Sequence, residues 1–186
     1  MKNTFIDFLN LGMQPLANSY VENKNINKKE KKYRLIIRFN KNNKLVSIKN
    51  TFSSKDMFND KYPYRSSTSK TMNLHLKKIA QNIKKTKPKK ILEIGSNDGC
   101  FIRNFDRKKT IGIEPCSNVE KITQKQKYNT YPEYWSPKLA TKVLKKHKKV
   151  NIIFSSNTIS HIKNLDEVFK GINIILDDKG VFIIED

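Results

Sequence analysis

The chain has 186 residues, of which 37% are hydrophobic, and its 38 Lys plus Arg against 17 Asp plus Glu give a formal net charge of +21. That length suits one domain, or a small module joined to part of a larger one. No run of about eighteen apolar residues occurs, which excludes a membrane-spanning helix.

The N-terminal MKNTFIDFLNLGMQPLANSY is interrupted by Asp7 and Asn10 and lacks the unbroken apolar core of a signal peptide, so a cytoplasmic protein is expected. Cys100 and Cys116 stand outside any CxxC pair, consistent with a reducing compartment. The excess of Lys invites a nucleic-acid reading. Against it, only Arg34, Arg38, Arg65, Arg103 and Arg107 carry the guanidinium that forks onto phosphates and guanine edges. Basic residues do not cluster with aromatics, so nucleic acid is not the expected partner, although anionic small ligands are.

In sequence order, residues 1–65 predict a small β-containing module. Tyr33–Phe39 and Leu45–Ile48 are β-rich runs joined by Asn40-Lys41-Asn42-Asn43-Lys44, the pattern of a hairpin. Residues 23–32 read as a solvated connector. A second domain spans 69–186. It opens on a helix whose Met72, Leu76, Ile79, Ala80 and Ile83 share one face, and Pro88 marks its end.

Strands and helices then alternate: strand 91–94, a short helix 99–105, strand 110–113, helix 117–126, a weak strand 128–131, helix 137–147, strand 150–155, helix 164–176 and strand 180–185. Such alternation predicts an α/β domain with a parallel sheet and helices on both faces. Trp135 and Tyr134 are expected in the core, and His75 and His147 at the surface.

The segment ILEIGSNDGCF, residues 91–101, combines an apolar strand with a turn bracketed by Gly95 and Gly99. Glycines there let the backbone approach a ligand, and a following helix would aim its free N–H groups at the same place. Glu114 closes the next strand, nineteen residues after Gly95, near the offset at which a carboxylate takes ribose hydroxyls. The pattern is E-x-G-x-x-x-G rather than the G-x-G-x-x-G of a pyrophosphate loop, and Glu93 and Asp98 favour a cationic cofactor. S-adenosylmethionine, with a sulfonium and an amino group, fits.

Five stretches in order, LGMQPLANSY (11–20), MFNDKYPYRSS (57–67), LEIGSNDG (92–99), GIEPCSNV (112–119) and SSNTISHIKNLDEVFKGINIILDDKGVFIIED (155–186), together resemble the sugar C-methyltransferases. These enzymes methylate carbon 3 of nucleotide-linked 4-keto-6-deoxysugars. The resemblance implies a class I, Rossmann-like methyltransferase sheet preceded by a module resembling a zinc-binding domain, with S-adenosylmethionine as cofactor and a nucleotide-linked sugar as substrate. It implies that Gly95, Asn97 and Gly99 line the methionine and ribose part of the cofactor, beside Glu93 read above from its charge, that Glu114 holds the ribose, and that Asn157 and Thr158 lie where cofactor meets sugar. It also places a tyrosine of the Y-P-Y segment, Tyr62 or Tyr64, and His161 in the sugar pocket. Carbon methylation next to a ketone needs a base and a donor to the enolate oxygen, roles these three side chains can fill.

Two departures from that family qualify the expectation. Its paired CxxC zinc ligands are absent, the second pair falling on Asn40 and Asn43, so no metal is expected. Class I sheets have seven strands, whereas Asp186 falls on the fifth, leaving an apolar edge of the kind proteins cover. The sheet is therefore expected to be incomplete and the protein truncated at its carboxyl end, lacking the family's acidic-histidine base. Either a second polypeptide supplies the rest, as in a split enzyme, or the protein is a non-catalytic remnant. A nucleic-acid methyltransferase or binding module is the remaining alternative.

Overall fold

A computed structural model describes residues 4–50 and 52–186. Its contacts divide the protein into two compact units, meeting in sequence between Met57 and Phe58.

The N-terminal unit is a three-stranded antiparallel sheet of β1 (Phe5–Pro15), β2 (Lys32–Asn40) and β3 (Val46–Ile48), with a single helical turn α1 (Ser54–Met57). β2 and β3 form the expected hairpin. Asn40 closes it by accepting hydrogen bonds at Oδ1 from the Asn42 and Asn43 amides, at 2.9 and 3.4 Å, and Asn43 Oδ1 accepts from Leu45 N at 3.1 Å. These are turns that Asn side chains make readily.

The sequence reading contains no β1. Its pairing with β2 is irregular between Asp7 and Leu9 and again between Asn10 and Met13, and Gly12 sits at φ +70°. Each irregularity moves the apolar residues to the other phase of the two-residue period, which erases the alternation by which a strand is read.

The second unit begins with α2 (Lys70–Lys85), which buries Leu76, Ala80 and Ile83 as the periodicity predicts. Ser69 caps its start by accepting from Met72 N. Five parallel strands follow, β4 (Ile91–Ile94), β5 (Thr110–Ile113), β6 (Asn129–Tyr131), β7 (Val150–Ser156) and β8 (Leu176–Glu185), in the spatial order β6-β5-β4-β7-β8. Helices α3 (Ser117–Lys125), α4 (Pro137–His147) and α5 (Leu165–Ile175) make the crossovers. Pro137 opens α4 behind the Ser136 cap, and Asn164 caps α5 ahead of Asp166 and Glu167.

Residues alternate across each strand, so the sheet has two cores. Leu92, Ile94, Ile113 and Ile153 pack with Leu139, Val143, Val168 and Ile172 of α4 and α5. Ile91, Ile152 and Phe154 face the opposite way, onto Leu76, Ala80 and Ile83 of α2 and onto Phe101. The Phe101 and Phe154 rings stack with centroids 4.0 Å apart.

This is the α/β class I methyltransferase fold, with a small antiparallel sheet at its N-terminus. β8 begins at Leu176, earlier than expected, because Leu176 pairs with Val150 before an irregular stretch resumes pairing at Val181. β8 is an edge strand whose Val181 and Ile184 are half-exposed. The strand order reverses between β4 and β7, and ligands of such sheets sit outside the carboxyl ends of the strands at that point.

Candidate functional site

The carboxyl ends of β4, β5 and β7 bring together Gly95, Glu114 and Asn157. After β4 the backbone turns sharply. Both Gly95 N and Ser96 N donate to Ile113 O, at 2.8 and 3.0 Å, which ties the turn to the end of β5. Gly95, Asn97 and Gly99 have φ of +77°, +47° and +83°. A Cβ on Gly95 would lie 2.1 Å from Thr158 Oγ1, and one on Gly99 would lie 2.6 Å from Thr123 Cγ2. Both positions thus require glycine by conformation and by space.

The helix expected at 99–105 is a correction. Only the 3-10 turn Ile102–Asn104 forms there. Asn104 Nδ2 donates to Cys100 O and Phe101 O, both at 3.0 Å, while the Arg103 guanidinium donates to Asp98 O at 2.6 Å and Gly99 O at 3.2 Å. The Asn104 side chain serves Cys100 O, which a continuing helix would have used, while Arg103 N still donates to Gly99 O at 3.0 Å. Three residues of 3-10 turn supply no macrodipole to a ligand, so the loop's own shape and the side chains around it must do the holding.

Glu114 is 5% exposed and its carboxylate braces the turn. Oε2 accepts from Asn97 N and Oε1 from Cys116 N, each at 2.8 Å. Burial raises its pKa, and the Cys116 and Asn97 N–H groups oppose that rise. The Cys116 thiol adds a third donor, which leaves the carboxylate room for a hydroxyl donor.

Glu93 differs. It lies 4% exposed on the α2 side of β4, and burial, reinforced by Glu114, holds its pKa well above the usual carboxylate range. Both causes disfavour its ionised form, and its place on the α2 side of β4 sets it apart from Glu114.

Among the described residues, the buried side-chain polar atoms without a partner are Glu93 Oε2, Ser96 Oγ and Asn118 Oδ1. All three belong to the glycine turn or to the strand and helix flanking it. Unpaired buried polar atoms are costly; Glu93 Oε2 faces α2, but Ser96 Oγ in the turn and Asn118 Oδ1 at the start of α3 are atoms that a polar ligand there would relieve. The residues present therefore fit a nucleoside-type cofactor.

Thr158 lies over Gly95, with its hydroxyl donating to Ser156 O at 2.9 Å. Asn157 is exposed at φ +49°, and its backbone amide donates to Glu185 O at 2.7 Å. His161 N donates to Thr158 O at 3.1 Å, which carries the imidazole to the same end of the sheet. Its ring lies 5.6 Å from Phe58, which lies 5.4 Å from Tyr62, and Tyr62 lies 6.5 Å from Tyr64. The fold thus assembles Tyr62, Tyr64 and His161 into one aromatic cluster, with Phe58 at its centre.

Several partnerships were invisible in the sequence. Asn118 Nδ2 donates to Tyr62 O at 2.8 Å, and Asn97 Nδ2 to Tyr64 O at 3.2 Å. Tyr134, expected in the core, is instead 38% exposed, with its hydroxyl donating to Phe58 O. His75 and Glu185 pair at 2.6 Å, both partly exposed, and Ser156 Oγ donates to the same carboxylate at 2.9 Å. His147, expected at the surface, is half-buried with Nε2 2.8 Å from the Tyr131 hydroxyl, and burial lowers its pKa. Each of these pairs is distant in sequence, so no local pattern announces it.

Residues 64–186 match a family described as "Methyltransferase domain". The protein belongs to that methyltransferase domain family. Residues 2–58 match a family described as "Putative zinc binding domain". Those residues contain no Cys and no His, and among the described residues no group of three or more His, Cys, Asp or Glu could hold a metal ion. The donor set does not fit zinc.

No curated protein matches the sequence. A solved structure titled "SAM-dependent methyltransferase, possible histamine N-methyltransferase", from Thermotoga maritima, is 18% identical with a TM-score of 0.45, over 60% of this protein and 50% of that one. The match therefore spans half the length of that structure. Among the described residues, no helix of this methyltransferase domain is long and apolar enough to cross a membrane.

Proposed function

We propose that this protein is an S-adenosylmethionine-dependent methyltransferase acting on a carbon next to the ketone of a nucleotide-linked deoxysugar. The observation that carries the cofactor half is the braced turn at the switch point: glycines at 95 and 99, Glu114 beside them, and unpartnered Ser96 and Asn118 atoms around them. Gly95, Asn97 and Gly99 would follow the methionine and ribose part, and Glu114 would accept from the ribose hydroxyls. The cofactor supplies an electrophilic methyl group.

The substrate half rests on the cluster of Tyr62, Tyr64 and His161 and on the sequence resemblance to sugar C-methyltransferases. A carbon acid beside a ketone is activated by removal of its proton. The His161 imidazole is a group that can accept that proton, and a Tyr hydroxyl can donate to the oxygen on which negative charge develops. Asn157 and Thr158 stand between that cluster and Gly95, where the two ligands would meet.

Calorimetry with S-adenosylhomocysteine tests the cofactor half. Wild type should bind, and Glu114→Ala should weaken binding by at least about tenfold, the loss of one or two hydrogen bonds to a charged acceptor. Absence of binding at about millimolar ligand, or an unchanged affinity in Glu114→Ala, would sink the assignment. The substrate half is tested by mass spectrometry after incubation with S-adenosylmethionine and a nucleotide-linked 4-keto-6-deoxysugar. Methyl transfer that persists undiminished in Tyr62→Phe, Tyr64→Phe and His161→Gln would remove those residues from the reaction.

A further inference from the structure

Between Phe58 and α2 the backbone lies as a strap across the glycine turn. Three side chains of the cofactor half-site hold it. Asn118 donates to Tyr62 O and Asn97 to Tyr64 O, while Asn97 Oδ1 accepts from Ser66 N at 2.8 Å. The firmest hold is at Asp98. Its Oδ1 accepts from Ser67 N at 3.3 Å and its Oδ2 accepts from the Ser67 hydroxyl, with the residue 1% exposed. Ser67 O in turn accepts from Asn73 Nδ2 at 2.6 Å, and Asn73 Oδ1 accepts from Cys100 Sγ at 3.1 Å.

By sequence, Asp98 reads as a second negative charge for the cofactor. Both of its oxygens are instead turned onto the strap, and its own carbonyl is pinned by Arg103.

We propose that Ser67 and Asp98 are a positioning pair, a clasp that fastens the tyrosine strap to the cofactor turn so that occupancy of the turn fixes where Tyr62 and Tyr64 stand. Neither residue touches the reacting atoms. Asn97 and Asp98 are adjacent, and Asn97 joins the turn to Glu114 through its amide and to the strap through its side chain. A ligand that stiffens the turn therefore stiffens the strap by the same bonds. Ordering one element lowers the entropic cost of using the other, which couples cofactor binding to readiness for the acceptor. The coupling rests on the cofactor reading above; the clasp itself does not.

Hydrogen exchange read by mass spectrometry on the whole protein, over residues 58–68, tests it with three proteins. Ser67→Ala removes one hydroxyl and keeps every amide, Ser67→Thr restores the hydroxyl, and circular dichroism melts establish that all three fold alike. Without ligand, the strap in Ser67→Ala should exchange about tenfold faster than in wild type, as expected for a lost hydrogen bond to a carboxylate, and Ser67→Thr should return it towards the wild-type rate.

With S-adenosylhomocysteine, wild type and Ser67→Thr should gain protection in the strap, and Ser67→Ala should gain it only in the turn, with affinity within about threefold of wild type. Equal strap exchange in wild type and Ser67→Ala would overturn the clasp, as would a loss of affinity as large as that of Glu114→Ala. Should Ser67→Ala destabilise the whole domain, Asp98→Asn, which keeps an acceptor for Ser67 N, provides the same comparison. If the ligand fails to bind wild type while the unliganded difference persists, the cofactor reading fails and the clasp stands.

Discussion

The two units use β-structure in opposite ways. In the C-terminal unit, strands alternate side chains between two helix-covered faces, and β4 and β5 are buried at every position. In the N-terminal sheet, Ile6, Phe8, Leu9, Leu11 and Met13 of β1 are each about half-exposed, and none of its residues is fully buried. A sheet with helices on both sides excludes water from both. A lone three-stranded sheet cannot, and small modules of this size commonly lean on a metal or a disulfide for stability. This one has no thiol or imidazole in residues 2–58. The contrast teaches that the same strand-forming residues stabilise only where something covers them.

The largest test of that contrast is a pair of truncations. Phe154→Ala removes a fully buried ring stacked on Phe101 and should cost about 3–5 kcal/mol in denaturant unfolding. Leu11→Ala, on the exposed strand, should stay within about 0.5 kcal/mol of wild type. Equal costs would mean that β1 is covered in solution and that the contrast is wrong.

A smaller effect concerns Glu93 and pH. Its folded pKa is raised above the ordinary 4.5, so its contribution to stability is complete below that value and is lost as pH rises through the folded pKa. Glu93→Gln should therefore be more stable than wild type at about pH 8, with the difference vanishing near about pH 4. A difference that instead grows towards acid would show that Glu93 is ionised in the native state. Both measurements can be read from urea midpoints.

Smallest of all is the ion pair of the exposed sheet, Lys49 Nζ to Asp7 Oδ2 at 2.6 Å. Asp7→Ala should lose no more than about 1 kcal/mol, and that loss should disappear in about 1 M salt. Persistence of the loss in salt would place the pair in a drier setting than its exposure indicates.

Much of the second unit was legible in the sequence because its signals are local. The apolar runs 91–94 and 110–113, the Met72-to-Ile83 stripe and Pro88 each act within one turn or one strand. Glycines at 95 and 99 marked the turn before any contact was known. The helix after Gly99 was misread because Arg103 and Asn104, ordinary helix residues by pattern, direct their side chains to the loop carbonyls. β1 was missed because its two irregularities scramble the period, and Tyr134 because its ring could not be told from a core ring until its hydroxyl found Phe58 O.

By itself, then, the sequence determined the alternation of strands and helices in the second unit, the parallel sheet and the identity of the turn, since periodicity and backbone freedom are properties of neighbouring residues. Only the tertiary structure decided which charges serve a ligand and which serve the protein. Burial raised the pKa of Glu93, backbone amides claimed part of Glu114, and Ser67, thirty-one residues away in sequence, claimed Asp98. Desolvation and long-range hydrogen bonds depend on what the fold brings near, and no run of residues carries that information.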